Sequence, residues 1–372
     1  MRNRTRIAIF LSIAIVILYI ANLVVYEGLA LALGLYTKLQ LTTLGVLLGV
    51  LPAGFIGIMI AGSYYYNVFT RTLYTLLAVY MGAFAYLFFA SVAYGLVVGI
   101  ADLFNLFTLL EPLGLALFAG ALVVSTYGVW HAKQIKAAHY QVSLPNLPEE
   151  WKNKKVLFIS DLHLGQLHGP KFAEKVARTV NARKADIICI GGDLYDGTQA
   201  PSPTMLTEPL RALSAPWGVY YITGNHEEFG DNTVFIKAVK ALGIRVLYDE
   251  KIEVHGLQLL GVDYHNAHTI DGFIKILSSF SIDPARPSIL LKHEPNHLTL
   301  AEAAGVSLQI SGHTHYGQQW PFGLVAQLNY LGYAYGLKPF GRMQMLTSSG
   351  IGTWGPPLRV GSQAEMVVIT FS

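Results

Sequence analysis

The feature that most constrains this chain is a change of composition near residue 130. Residues 1–130 carry eight charged side chains: Arg2, Arg4, Arg6, Glu27, Lys38, Arg71, Asp102 and Glu111. The remaining 242 residues hold the other 41, at nearly three times the density, and charged residues make up only 13% of the whole chain. Soluble domains usually hold about 25%. Four apolar stretches account for the deficit, roughly 7–25, 41–60, 73–98 and 113–129. Crossing a bilayer takes about 20 apolar residues as a helix. Four such runs in succession do not fit buried helices of a soluble core. The expectation is a bundle of four transmembrane helices over 1–132, a linker over 133–150 closed by Pro145 and Pro148, and a soluble domain over 151–372.

The first run follows a basic segment, MRNRTR, as a signal peptide would. It is long, lacks a clear small-x-small cleavage site and is followed by further spans, so it reads as a retained helix. Lys and Arg near span ends set orientation. Arg2, Arg4, Arg6, Arg71, Lys133 and Lys136 lie on one side, with His131, and only Lys38 on the other. The bias places both termini and the soluble domain in the cytoplasm, in an inner membrane. The spans hold almost no ionisable groups, which argues against an ion pathway. Their glycines read as close-packing points.

The net charge of +3 is too small to indicate nucleic acid, and no basic patch with interleaved aromatics occurs. No protein partner is indicated either. The single cysteine, Cys189, excludes an intrachain disulfide and reads as a small core residue.

The soluble part is organised around VLFISDLHLG, residues 156–165. An apolar run stops at Asp161, and His163 follows. Four more apolar runs end alike: in Asp193, in Asn225-His226, in His293, and in His313-x-His315. Open α/β sheets place their sites at the carboxyl ends of strands. Helical spacing recurs between these runs, so strands alternate with helices, with hairpins later. An α/β sandwich with mixed sheets is expected. Carboxylate, imidazole and amide oxygen together suit divalent Mn, Fe, Zn or Mg. The candidates outnumber the ligands of one tetrahedral zinc, so two ions sharing a carboxylate are expected. Two such ions clamp an in-line displacement at phosphorus and generate a hydroxide nucleophile at neutral pH.

In sequence order, Asp161-x-His163, Gly192-Asp193-x-x-Asp196, Gly224-Asn225-His226-Glu227, His293 and Gly312-His313-x-His315 resemble the five motifs of calcineurin-like metallophosphoesterases. The resemblance runs from about residue 156 to the C-terminus and leaves the membrane region uncovered. It implies an α/β/β/α sandwich. It also implies that Asp161, His163 and His315 bind one metal, that Asn225, His293 and His313 bind the other, and that Asp193 bridges them. His226 would stabilise the transition state or protonate the leaving oxygen, and Asp196 would orient it. Gly317-Gln318 is similar to a bacterial subgroup with membrane-anchored members, some relatives of which act on lipid-linked or nucleotide-linked diphosphates. No Arg-Gly follows Asp196, unlike the protein Ser/Thr phosphatases; Gly197-Thr198 stands there.

The resulting expectation is a membrane-anchored dimetal phosphoesterase acting on a phosphodiester, diphosphate or phosphomonoester, lipid-linked substrates included. Rivals are a UDP-2,3-diacylglucosamine-type pyrophosphatase of lipid A synthesis, a non-catalytic membrane sensor or scaffold, and a transporter with a regulatory domain. Among other residues, His168 is a candidate for substrate contact. Glu227, Asp263 and His265 are candidates for supporting the ligands. His131, His139, His255, His268 and His297 read as surface or structural, and Arg342 and Arg359 as solvated loop charges. The aromatic stretch 320–340 reads as a loop on a sheet edge, or as a lip that accepts a lipid tail through Tyr330 and Tyr333.

Overall fold

A computed structural model describes residues 2–104, 110–197 and 201–372. The side chains of 2–12 and 14 lie outside the described residues, as does Thr198. Arg2, Arg4 and Arg6, used above for orientation, are among these side chains.

The chain forms two compact units. One holds Met1–Ile60 and Thr72–Val129, the other Ala61–Arg71 and Trp130–Ser372. The first unit is built from α1 (Arg2–Ala32), α2 (Lys38–Gly62), α3 (Val68–Phe104) and α4 (Leu110–His131). Each contains a window long and apolar enough to cross a membrane. The helices exceed the expected spans because helical hydrogen bonding continues beyond the apolar window. Pro52 lies inside α2. Val25, Leu48 and Phe84 form a small buried cluster between α1, α2 and α3, while large apolar side chains such as Ile17, Leu96 and Val123 face outward.

The second unit is a sandwich of two six-stranded sheets. The first contains β1 (Lys136–Val142), β2 (Lys155–Ile159), β3 (Ile187–Gly191), β4 (Val219–Ile222), β5 (Arg245–Val246) and β12 (Glu365–Phe371), in the order β1-β12-β2-β3-β4-β5. The second contains β6 (Glu250–Val254), β7 (Leu257–Gly261), β8 (Ser288–Leu291), β9 (Leu308–Ser311), β10 (Gly336–Phe340) and β11 (Met343–Thr347), in the order β10-β11-β9-β8-β7-β6. Both are mixed: β2, β3, β4 and β5 run parallel while β12 pairs antiparallel with β2, and β6 and β7 form an antiparallel hairpin.

Strand periodicity sorts the core. Successive side chains point to opposite faces. Val156 and Phe158 of β2 join the layer between the sheets, with Ile289, Leu291, Leu308 and Ile310 opposite. Leu157 and Ile159 point the other way and meet α5 (Pro170–Asn181), through Ala173, Val176 and Val180. The α7 helix (Asn232–Lys240) covers the same face. On the far side, α9 (Ile270–Phe280) and α10 (Leu298–Ala303) cover Leu260 and Leu290. Two shorter helices, α6 (Pro203–Thr207) and α8 (Tyr264–Ala267), complete the connections before the last helix, α11 (Phe322–Asn329).

Two stretches differ from expectation. Residues 133–150, expected as a linker, contain β1, which pairs in parallel with β12 from Lys136–Glu365 to Val142–Phe371. The weakly patterned KAAHYQV pairs because β12 offers it an open edge. Residues 320–340 contain α11 and the edge strand β10 rather than a loop alone.

Candidate metal centre

The ligand-type residues stand where strands run out. Asp161 and His163 follow β2, Asp193 follows β3, Asn225 and His226 follow β4, His293 follows β8, and His313 and His315 follow β9. Parallel register brings these ends level: Ile159 pairs with Ile190, Gly191 with Ile222, and Leu291 with Ile310. The backbone then turns sharply. Asp161, His163, Asp193, His313 and His315 all have positive φ, between 46° and 70°. Such conformations cost non-glycine residues on the order of 1–3 kcal/mol each and cluster at functional sites. Glycine permits the close packing behind them. A Cβ on Gly224 would lie 2.2 Å from Asp193 Oδ1, and one on Gly312 would lie 2.4 Å from Asp161 Oδ2.

Two groups of donor atoms result. In the first, Nε2 of His163 and Nε2 of His315 are 3.0 Å apart, with Asp161 Oδ1 3.8 Å from the latter. Two buried imidazole lone pairs at that distance repel unless a proton or cation lies between them. In the second, His313 Nδ1 is 2.8 Å from Asn225 Oδ1, and His293 Nε2 is 3.1 Å from the same oxygen. His293 Nδ1 lies 2.7 Å from the Gly191 carbonyl. Donation there turns Nε2 into the site, the arrangement that metal-binding histidines adopt. Asp193 Oδ2 faces both groups, 3.2 Å from His293 Nε2 and 3.9 Å from His163 Nε2. Its other oxygen accepts from the His226 backbone at 2.9 Å. The ligand atoms of Asp161, His163 and His315, and those of Asp193, His293 and His313, are each spaced closely enough to hold a metal ion, as are those of His163, Asp196 and His226.

The electrostatics express the same demand for positive charge. Burial alone would raise Asp193, but His293, His163 and His226 hold it well below the usual carboxylate range. Burial would lower His293, yet Asp193 and Asp161 push it up to about 10. His313 falls to about 4, by burial and then by His293. Burial, His163 and Arg359 push His315 down. These neutral imidazoles are ready as ligands. The donor set fits two divalent cations.

His226 lies at the rim. Its Nδ1 is 3.4 Å from the Asp196 carbonyl and 3.7 Å from the Asp196 carboxylate. That carboxylate is equally 3.7 Å from His163 Nδ1, which is buried without a hydrogen-bond partner. Asp196 therefore stands between two imidazoles, and only its backbone approaches His226 within hydrogen-bonding distance. Burial, followed by His163, lowers the His226 pKa.

Supporting residues complete the site. Glu227, fully buried, accepts from the backbone N–H of Asp193 at 3.1 Å, Gly224 at 2.6 Å and Tyr195 at 3.0 Å, clamping two ligand turns together. Burial and Asp193 raise it to about 7. Arg359 is not a solvated loop charge. It is fully buried and donates to the carbonyls of Ser349 at 2.7 Å and Gly352 at 2.7 Å, and it stands 3.3 Å from His315 Nδ1. Nothing in GTWGPPLRVGS marks it as buried, because its partners are backbone carbonyls brought in by folding. Arg342 is exposed beside Glu302, as expected.

His168 stacks on Phe172 and bonds Thr353, inside the protein. Asp263 caps α8 and accepts from Thr223, and His265 is exposed beside Glu228. Tyr330 reaches the second ligand group, 6.1 Å from the His313 ring, and donates to Glu294. Tyr333 packs against the α9 core instead. An open cavity of about 440 Å³ borders the centre, lined by Asp193, Asn225, His226, His313 and His315 together with Phe229, Trp354 and Pro356.

Residues 154–317 match the calcineurin-like phosphoesterase family. The chain is 30% identical over 278 residues to YkuE, an uncharacterized metallophosphoesterase of Bacillus subtilis, a match covering 68% of this chain and 93% of that one. The chain belongs to the calcineurin-like phosphoesterase family. This phosphoesterase is also 32% identical over 222 residues to an uncharacterized metallophosphoesterase of Helicobacter pylori J99, covering 59% of this chain and 60% of that one. It is 30% identical over 273 residues to a transmembrane protein with metallophosphoesterase domain of Bos taurus, covering 66% and 59%. The phosphoesterase thus spans about 60% of the length of the Helicobacter and cattle relatives.

Proposed function

We propose that the protein is a membrane-anchored dimetal phosphoesterase with its phosphoesterase unit on the cytoplasmic side. The substrate is a phosphodiester, diphosphate or phosphomonoester carried on a lipid. The observation that carries the reading is Asp193, whose Oδ2 faces His293 on one side and His163 on the other. Asp161, His163 and His315 would hold one ion and Asn225, His293 and His313 the second, with Asp193 available to both. Ions bound there supply Lewis acidity for the phosphoryl oxygens and for activating water. The chain supplies the rest. Glu227 keeps the Asp193 and Gly224 turns in place. His226, at the cavity rim, contacts the phosphoryl or leaving oxygen and is held by the Asp196 carbonyl. Phe229, Trp354 and Pro356 give the cavity an apolar wall for the non-phosphate part of the substrate. The sequence bias of Lys and Arg supports the cytoplasmic side.

The test is hydrolysis of bis-p-nitrophenyl phosphate by the full chain in mild detergent with manganese, beside Asp193→Asn. Turnover lost in the variant supports the reading. Equal turnover in both proteins would sink it.

A further inference from the structure

The α11 helix is an anomaly in the phosphoesterase unit. Its sequence, FGLVAQLN, is apolar, yet none of its residues is buried. Leu324, Val325 and Leu328 form one exposed stripe, and Leu331 just beyond extends it, the last two being 77% and 86% exposed. A contiguous apolar surface of this kind marks a site of association. The helix is also tied to the metal centre. A Cβ on Gly317, two residues after His315, would lie 2.2 Å from both Gly323 N and Phe322 C, so the first turn of α11 rests on the ligand loop.

Hydrogen bonds set the level at which α11 begins. Its lead-in residue, Trp320, donates its backbone N–H to the Val360 carbonyl at 2.7 Å. The adjoining carbonyl, of Arg359, lies 3.2 Å from the ring of His131. His131 is the last residue of α4, the fourth helix able to cross a membrane. Consecutive Cα atoms are about 3.8 Å apart. The start of α11 and the end of α4 are therefore held by neighbouring peptide units. A second pair of helix ends lies in the same unit. The turn between α2 and α3 bonds Gln166, whose side-chain amide donates to Gly62 O at 2.5 Å and Tyr65 O at 2.9 Å, three residues beyond His163. This turn exposes Tyr64 and Tyr65, and the start of α3 exposes Phe69; Trp130, Trp320 and Trp354 are exposed as well. Tyr and Trp gather where a membrane meets water.

We infer that α11 is an interfacial helix. Leu324, Val325, Leu328 and Leu331 sit in the headgroup region of the bilayer that the four apolar helices cross, at the level of the α4 end. The inference rests on the membrane reading above and adds a second, peripheral attachment to it.

The single cysteine, Cys189, is buried, so one introduced cysteine can be spin-labelled alone. The experiment labels Leu328→Cys, Val123→Cys on the exposed face of α4, and Glu174→Cys on the polar face of α5, each in the full chain in phosphatidylcholine and phosphatidylglycerol nanodiscs. Collision with oxygen and with a water-soluble nickel chelate reports depth and needs no activity. The expected result is a Leu328 label favouring oxygen, as Val123 does, while Glu174 favours nickel. A Leu328 label as open to nickel as Glu174, beside a dry Val123, overturns the inference and leaves the membrane reading standing. A wet Val123 removes the membrane reading and the inference with it.

Discussion

Asp193 receives the His226 N–H on one oxygen and turns the other to both ligand groups. Asp193→Asn keeps its shape but removes the charge that both groups share. Elemental analysis of the purified variant is expected to show less than half of the wild-type metal content. Arg359 acts differently. Truncation to Met leaves the carbonyls of Ser349 and Gly352 buried without their donor, while that of Gly350 keeps the Glu365 N–H. Unsatisfied buried groups cost about 1–3 kcal/mol each, and more where a charge is involved. Arg359→Met should therefore lower the detergent-phase Tm of the phosphoesterase unit strongly. Arg342→Met, at an exposed ion pair, should change the stability by no more than about 0.5 kcal/mol. Cys189 gives a pH test. Burial pushes its thiol from 9.0 up to about 12. Between those values the folded chain keeps a proton that the unfolded chain has lost, so this contribution is complete below pH 9 and falls away as pH rises. Cys189→Ala should flatten that part of the stability curve, read by thermal melts from pH 8 to 10.5. Native Cys189 should also resist thiol reagents at pH 8.

At the scale of elements, β2 and β3 meet where Phe158 lies over Gly191. A Cβ on Gly191 would fall 2.1 Å from the Phe158 ring. Gly191→Ala must therefore move the ring or the strand end that leads to Asp193. Thermal melts should show a loss of a few kcal/mol, within the ~1–3 kcal/mol typical of overpacking. In a double-mutant cycle, Phe158→Leu should recover part of it; simple additivity would refute the contact. That residues 156–159 form a buried strand was legible from the apolar run, as was the turn into Asp161; the sorting of Val156 and Phe158 from Leu157 and Ile159 into two cores was not. The strand status of 136–142 was not. Its sequence alternates weakly, and it pairs because β12 leaves an edge open. The helix at 322–329 was obscured for a related reason: the apolar side chains of α11 have no core to meet, and they stand within a long aromatic and glycine-rich stretch.

For the whole molecule, the division into units does not follow chain order. The turn 61–71 belongs with the phosphoesterase unit, through Gln166 and the bond from Arg71 Nε to Gln166 O at 3.2 Å. A fragment covering only 130–372 lacks this turn. The Gln166 amide, buried in the full chain, then loses both of its carbonyl partners. The full chain in detergent should melt its phosphoesterase unit at a higher temperature than the fragment does. Gln166→Ala should bring the two closer together. Identical melting of fragment and full chain would show that the turn contributes nothing.

The sequence by itself determined the change of composition near residue 130, the strands that end in Asp, Asn and His, and the order of five motifs. These are local facts: apolar runs choose their solvent, and a polar residue at the end of a buried run must face a site or water. Tertiary structure alone decided how the donors group. Asp193 faces both sets because β3 lies between β2 and β4 and because sheet two brings His293 across from it. Packing also buried Arg359, placed Asp196 between two imidazoles and left α11 uncovered. Distances between residues a hundred or more positions apart depend on sheet register and left-handed turns, which spacing along the chain does not encode.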